Sequence, residues 1–213
     1  MLNRIEKSRP FREAKILAEN VSFEDYLVQF DGIRTEWLIG TVVSKPSVSS
    51  DHSLIQSFLL IFLDLYLSNV MKSHIFMDFT MYVDDSVPAR APDMLILKQD
   101  NFHRLTKTHI NSPVDLIVEI ISEGTTSTDR GEKFVEYEAV GIPEYWIIDP
   151  IRKSVDIYAL NEEGHYQRIK GTDEQIISTL LPAFKLDTAI LWQKELPKGR
   201  EIIKLVESMV KNQ

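Results

Sequence analysis

The longest run of apolar residues covers positions 54–67 and is interrupted only by Gln56, Ser57 and Asp64. It is shorter than the roughly 20 apolar residues that a membrane span requires. We therefore predict a buried helix that begins near His52, behind the polar stretch 47–51 that supplies its cap. A second, short helix is predicted after Ser22, which is a typical N-cap residue.

Shorter apolar stretches indicate strands, because they are rich in β-branched and aromatic residues. They cover residues 36–43, 75–83, 92–97, 114–121, 145–148 and 155–160. Residues 129–140 have a helical pattern that ends at Gly141 and Pro143, the usual order of stop signals. A strand, a helix and a strand in succession predict a βαβ unit with parallel strands. The pattern predicts an α/β or α+β fold with a mixed sheet.

No internal repeat or linker-like segment divides the 213 residues. We predict one folded domain over residues 23–192, preceded by an N-terminal tail over 1–22. Residues 193–213 are predicted to contain a peripheral C-terminal helix, over 199–210.

The amino-acid composition limits which ligands and partners the chain can have. The chain has no cysteine, so it has no disulfide, thiol nucleophile or cysteine-bound metal, and any metal would need oxygen or imidazole ligands. Twenty-four Lys and Arg residues against 32 Asp and Glu residues give a net charge of −8, which opposes sequence-independent attraction to nucleic acid. The first residues lack the pattern of a secretion signal, and we expect a cytoplasmic protein without a membrane span.

Three charged residues stand where the pattern favours apolar ones. Asp93 follows Pro92 at the start of a short apolar strand, and Glu119 lies inside the strand 114–121. Lys133 falls on the predicted inward side of the helix 129–140. A carboxylate inside an apolar strand is costly unless it is paired or bound to a metal.

Two carboxylates on adjacent strands can bind a divalent cation, and an ammonium group can support an attacking water or stabilise developing phosphorane charge. This combination suits phosphodiester hydrolysis. Structural alternatives remain open: Asp93 as a turn residue after proline, and Glu119 with Lys133 as a buried ion pair.

The segments that contain these residues form a recognisable pattern, made up of Pro92-Asp93, the strand 115–122, the segment 129–133 with Tyr137, and residues 141–150. The pattern resembles the Uma family, which is grouped with the restriction endonucleases in the PD-(D/E)XK nuclease superfamily. The resemblance is dense over residues 92–150 and extends over about 23–192. It implies a restriction-endonuclease-like core in which a mixed β-sheet is flanked by helices, with a Mg²⁺ site at one end that also accepts Mn²⁺.

The resemblance also assigns roles to individual residues. Asp93 would match the aspartate of the superfamily motif and Glu119 its second acid, so that both would hold the metal. The motif lysine should stand at position 121, which is Ile. Lys133 is the candidate replacement and would act from the following helix.

Four other residues have weaker assignments. Glu36 is either a third catalytic carboxylate beside the metal or a surface charge at a strand edge. The family has a histidine at the start of its long helix, and His52 matches it as a candidate to contact phosphate or metal-bound water; the alternative is a residue of the helix N-terminus. Asp129 and Tyr137 are predicted to orient Lys133.

A local excess of positive charge follows the Asp93 strand, with Lys98, Arg104 and Lys107 as candidates for nucleic-acid binding. We expect a Mg²⁺-dependent endonuclease that cleaves DNA as a homodimer, because cleavage of a duplex requires two cuts. Two alternatives remain: a catalytically inactive descendant that binds nucleic acid or protein, supported by Ile121 and the acidic charge, and a metal hydrolase that acts on a small phosphoester.

Overall fold

The structure, a computed structural model, describes residues 14–122, 128–169 and 174–211. Its strands are β1 (Ile16–Glu19), β2 (Thr35–Leu38), β3 (Thr41–Ser44), β4 (Ser73–Phe76), β5 (Met81–Tyr82), β6 (Met94–Lys98), β7 (Ile110–Asn111), β8 (Leu116–Ile120), β9 (Glu144–Asp149), β10 (Ser154–Leu160), β11 (Tyr166–Arg168), β12 (Gln175–Ile177) and β13 (Lys185–Asp187). Its α-helices are α1 (Phe23–Gln29), α2 (Ser50–Val70), α3 (Lys133–Ala139) and α4 (Arg200–Val210).

The central sheet has the strand order β11-β10-β9-β8-β6-β4 within the described residues. Strands β8 and β9 run parallel, whereas the other neighbours run antiparallel. This arrangement confirms the predicted mixed sheet, and the parallel pair is joined through α3 as the strand, helix and strand pattern predicted.

Helices cover both faces of the sheet, which explains why β8 is buried along its whole length. Leu116, Val118 and Ile120 pack into one core with α2. Ile117 and Ile121 point to the opposite face, into a second core that contains Tyr137 of α3. Because Glu119 shares this second face by the period of two, its side chain points toward α3.

Residues 36–43 were predicted as one strand, but they form a hairpin. Strands β2 and β3 pair antiparallel, with Leu38 opposite Thr41. The two-residue turn has positive φ at both positions, +48° at Ile39 and +85° at Gly40, which is the type I′ arrangement. Strand β1 pairs with β3, so residues 16–19 of the predicted tail belong to this three-stranded sheet.

Other boundaries also differ from the predictions. The segment 75–83 is divided into β4 and β5, because the chain turns at Asp78 with φ of +49°. Helix α2 begins at Ser50, and the side chain of Ser49 accepts a hydrogen bond from the His52 N–H. Helix α4 begins after Gly199 and buries Ile202 and Val206 in the first core, so that the C-terminal helix contributes to the core.

By length and composition α2 could span a membrane, with a mean hydropathy of 1.5. Helices in protein cores meet the same criterion. In the fold Leu59, Phe62, Leu63 and Tyr66 are fully buried, and they belong to the first core. These four side chains of the apolar run therefore cover one face of the sheet, whereas Leu54 and Ile61 of the same run remain exposed.

Candidate active site

Asp93 and Glu119 lie at the same end of the central sheet. Strands β6 and β8 are antiparallel with Met94 opposite Val118, so the start of β6 adjoins the end of β8. Oδ2 of Asp93 accepts a hydrogen bond of 2.8 Å from the backbone N–H of Ile120. Both carboxylates are nearly inaccessible to solvent, at 5% exposure for Asp93 and 1% for Glu119.

Helix α3 brings two polar groups to Glu119. Nζ of Lys133 and the hydroxyl of Tyr137 each donate a hydrogen bond of 2.9 Å to Oε1 of Glu119. These residues are four positions apart, so they lie on one face of the helix. Tyr137 therefore contacts the same carboxylate oxygen as Lys133, and its predicted role in orienting Lys133 stays a prediction.

Lys133 is buried among carboxylates. Its Nζ is 2.9 Å from Oδ1 of Asp129 and 4.0 Å from Oε1 of Glu36, in addition to its contact with Glu119. Burial lowers the pKa of Lys133, but the three carboxylates raise it by a larger amount. The pKa of Lys133 is therefore well above its usual value. The ammonium group is consequently charged at neutral pH. Burial raises the pKa of Glu119 above its usual value, and the charge of Lys133 offsets only part of this rise.

Glu36 is a buried residue of this site and not a surface charge. Its Oε2 accepts a hydrogen bond of 2.9 Å from Nη1 of Arg90, and its Oε1 accepts one of 3.2 Å from the Ala91 N–H. Burial alone would raise the pKa of Glu36, but the charges of Lys133, Arg90 and Lys45 lower it to about 2. Glu36 is therefore ionised under all ordinary conditions.

Lys45 and His52 flank the second oxygen of Asp93. Nζ of Lys45 is 3.7 Å from Oδ1 of Asp93, and Nε2 of His52 is 3.6 Å from the same atom. His52 is 2% exposed, and neither ring nitrogen has a hydrogen-bond partner within the described residues. An unpartnered buried imidazole beside a carboxylate marks a position where a ligand or water is expected.

These side chains line a cleft of about 380 Å³. Its walls come from the β2–β3 hairpin, the start of α2, the end of β8 and the helical turn Thr128–Glu132 that precedes α3. The predicted residues that the structure brings to this cleft are Glu36, His52, Asp93, Glu119, Asp129 and Lys133. Tyr137 lies directly behind Glu119.

The predicted nucleic-acid-binding residues do not line the cleft that contains Asp93 and Glu119. Lys98 ends β6, five residues from Asp93 and roughly 17 Å away at 3.3 Å per residue. At that end of the sheet Asp115 accepts hydrogen bonds from the Lys98 N–H and the Asn101 side chain. Arg104 donates to the carbonyl of Pro113. Lys107 lines a separate cleft, which Lys45 also lines.

Two site residues, Lys45 and Arg90, were missed by the sequence reasoning. Both lie in irregular segments, where no periodicity indicates which way a side chain points. One signal was available for Arg90, because it stands between Ala89 and Ala91 only three residues before Asp93. Its guanidinium is 4% exposed, and it also binds both carboxylate oxygens of Glu136, at 2.7 and 2.8 Å.

The carboxylate oxygens of the cleft are the type of ligand that binds a hard divalent cation. No group of three or more His, Asp or Glu side chains in the described parts of the chain forms a metal cluster. Mg²⁺ does not need one, since one or two carboxylates with several waters are sufficient. Asp93 and Glu119 offer that pair, and the unpartnered imidazole of His52 lies beside Asp93. The chemistry of these residues fits a divalent cation such as Mg²⁺ or Mn²⁺.

Comparisons with known proteins agree with this fold. The fold is that of a nuclease-fold protein. The model of the Uma2 family, described as "Putative restriction endonuclease", matches residues 22–189, and the chain belongs to this family. No curated protein sequence matches the chain.

Solved structures include a "putative nuclease belonging to DUF820" from Anabaena variabilis. It is 18% identical to this chain, with a TM-score of 0.61, and the match covers 74% of this chain and 89% of that one. At this identity the similarity concerns the fold, and it confirms the predicted nuclease fold.

Proposed function

We propose that the protein is a Mg²⁺-dependent endonuclease that hydrolyses phosphodiester bonds of DNA. The observation that carries the proposal is the joint placement of Asp93, Glu119 and Lys133. The Ile120 N–H holds Asp93 beside the end of β8, and Lys133 reaches Glu119 at 2.9 Å. The family motif has a lysine at position 121, where this chain has Ile. In this proposal the ammonium group of Lys133, on the next helix, takes the place of that lysine.

Asp93 and Glu119 would hold the metal, which when bound polarises the phosphate and lowers the pKa of a water molecule. The bond between the Ile120 N–H and Oδ2 fixes the Asp93 carboxylate. Tyr137 fixes Glu119 through Oε1. Each acid therefore has a defined orientation before any ligand binds, which is what positioning for catalysis requires.

Lys133 acts as a fixed positive charge. Its pKa is raised by Glu119, Asp129 and Glu36, so it remains protonated and does not remove a proton from water. A buried ammonium in a site shielded from solvent orients the attacking water and stabilises negative charge that develops on the phosphate. Asp129, 2.9 Å from Nζ, holds the lysine in place.

Metal titration provides the first test. Calorimetric titration with Mn²⁺ should give binding to the parent protein and none to Asp93→Asn. Asp115→Asn is the matched control, because Asp115 is also a buried carboxylate that accepts a backbone N–H, but at the opposite end of β8. Equal binding by the parent and Asp93→Asn would leave Asp93 as a structural residue and contradict the proposal.

Cleavage provides the second test. The parent should nick supercoiled plasmid DNA with Mn²⁺ and lose the activity with EDTA, and Glu119→Gln should be inactive. Metal binding without cleavage of any nucleic acid, but with hydrolysis of a small phosphodiester, would favour the small-phosphoester alternative. DNA binding without metal binding would favour the inactive descendant.

Sedimentation would show whether the enzyme forms the expected homodimer.

A further inference from the structure

A second cleft, of about 350 Å³, adjoins the candidate active site. It lies between the end of α1, the open end of the β2–β3 hairpin, the β4–β5 turn and the turn before β7. Its volume falls within the range of small-molecule binding sites. None of the roles assigned above involves this cleft.

Lys45 separates the two clefts, since its side chain lines both. Its Nζ is 2.5 Å from Oδ1 of Asp78 on the side of the second cleft and 3.7 Å from Oδ1 of Asp93 on the side of the active site. The N–H of Asp78 donates to the carbonyl of Pro92, the residue before Asp93. The two clefts are therefore one side chain apart, and a polymer could occupy both.

The hairpin and a tight turn supply the positive charges. Arg34 lies beside Lys45 because the Lys45 N–H donates to the Arg34 carbonyl, and both side chains bind Asp78. Lys107 lies at the tip of a turn in which the Thr106 hydroxyl accepts the N–H of His109. The cleft contains three cations but only two carboxylates, Asp31 and Asp78, in a protein of net charge −8.

Aromatic rings form the other part of the lining. Phe30 and Phe79 are half-buried and border the cleft. Phe79 is held by stacking on Phe76, with ring centroids 5.0 Å apart. Ring faces beside cations are the combination that binds a single-stranded nucleotide, because the base stacks while the cations contact phosphate.

We propose that this cleft holds an unpaired nucleotide next to the scissile phosphate, so that the substrate is single-stranded or frayed DNA. The proposal rests on the proposed nuclease function. In an intact duplex the faces of each base are covered by its neighbours, so they cannot reach Phe30 or Phe79. A strand cleaved at Asp93 and Glu119 would pass Lys45 and place its next nucleotide between the rings and Arg34 or Lys107.

Binding of a single-stranded oligodeoxynucleotide of about twelve nucleotides, in EDTA, tests the proposal by fluorescence anisotropy. Arg34→Gln and Lys107→Gln should each weaken binding roughly fivefold and reduce the salt slope by roughly 0.7. Phe79→Leu, which keeps apolar volume but removes the ring, should weaken it about tenfold. Lys72→Gln is the control, since Lys72 is exposed, lies beyond the C-terminal end of α2 and lines neither cleft.

The same variants are then compared on a duplex of the same sequence and in Mn²⁺-dependent plasmid nicking. Losses that are larger for the single strand than for the duplex would support the proposal. Equal losses of binding to the single strand and the duplex would show that the cleft only contacts phosphate, and they would overturn the proposal. If the parent nicks DNA but the variants bind like Lys72→Gln, the subsite is wrong and the nuclease function stands. A parent that neither binds nor nicks would overturn both.

Discussion

Lys133 reaches Glu119 from the helix that follows its strand, with Nζ 2.9 Å from Oε1, although the two residues are 14 positions apart. Lys133 can contact Glu119 because the Glu119 side chain lies on the face of β8 that α3 covers. A strand lysine two residues after the acid would point to the same face. The helix thus delivers the charge to the side of the sheet where the family's motif would place it.

Lys133→Met should reduce Mn²⁺-dependent nicking by at least about 100-fold, as expected when a fixed charge beside the reacting group is lost. Mn²⁺ binding should persist, because the carboxylates remain and lose a competing cation. Calorimetry and plasmid nicking measure the two effects separately. Lys204→Met, on the exposed side of α4, is the control. Nicking at the parent rate would show that Lys133 is only a structural partner of Glu119.

Periodicity made much of the fold and part of the site predictable. The βαβ unit follows from apolar strands on both sides of a helical pattern, and the depth of Lys133 follows from its helical spacing to Tyr137. Glu119 stood out because burial of a charge in an apolar strand is costly.

Residues outside regular elements were not predictable in this way. Lys45 follows β3 and Arg90 precedes β6, and no repeat fixes the direction of their side chains. Lys98 lies at the far end of β6 for a related reason: an extended strand separates residues that are close in sequence, so its role in nucleic-acid binding stays a prediction. The backbone N–H of Lys98 donates to Asp115 at that end of the sheet.

Stability should depend on pH through Glu36. Its pKa is lowered from 4.5 to about 2 by Lys133, Arg90 and Lys45, whose charges outweigh its burial. A lowered folded-state pKa stabilises the protein fully above pH 4.5, and that contribution is lost as pH falls from 4.5 through 2. The difference in free energy of unfolding between the parent and Glu36→Gln should shrink over this window. Chemical denaturation at several pH values measures it, and a constant difference would contradict the assignment.

Arg90 links the β2–β3 hairpin to α3 through Glu36 and Glu136, so its removal leaves Glu36 buried without its closest cation. Arg90→Gln should lower the free energy of unfolding by about 3–5 kcal/mol. Arg152→Gln is the control, because Arg152 is 63% exposed and its ion pair with Asp149 should contribute less than about 1 kcal/mol. Urea denaturation measures both. Similar losses in the two variants would mean that the Arg90 network is not stabilising.

The β2–β3 turn offers a stabilising substitution. Ile39 has φ of +48°, a left-handed conformation that is sterically unfavourable for a β-branched residue. Its side chain is 53% exposed, so burial contributes little to offset this strain. Asn tolerates this conformation and precedes Gly in the favoured type I′ turn. Ile39→Asn should therefore raise the free energy of unfolding by about 1 kcal/mol. Ile33→Asn, at a site that is 54% exposed and lacks positive φ, removes the same side chain without relieving strain. If both variants change stability equally in thermal and urea denaturation, the strain at Ile39 is not what limits the hairpin.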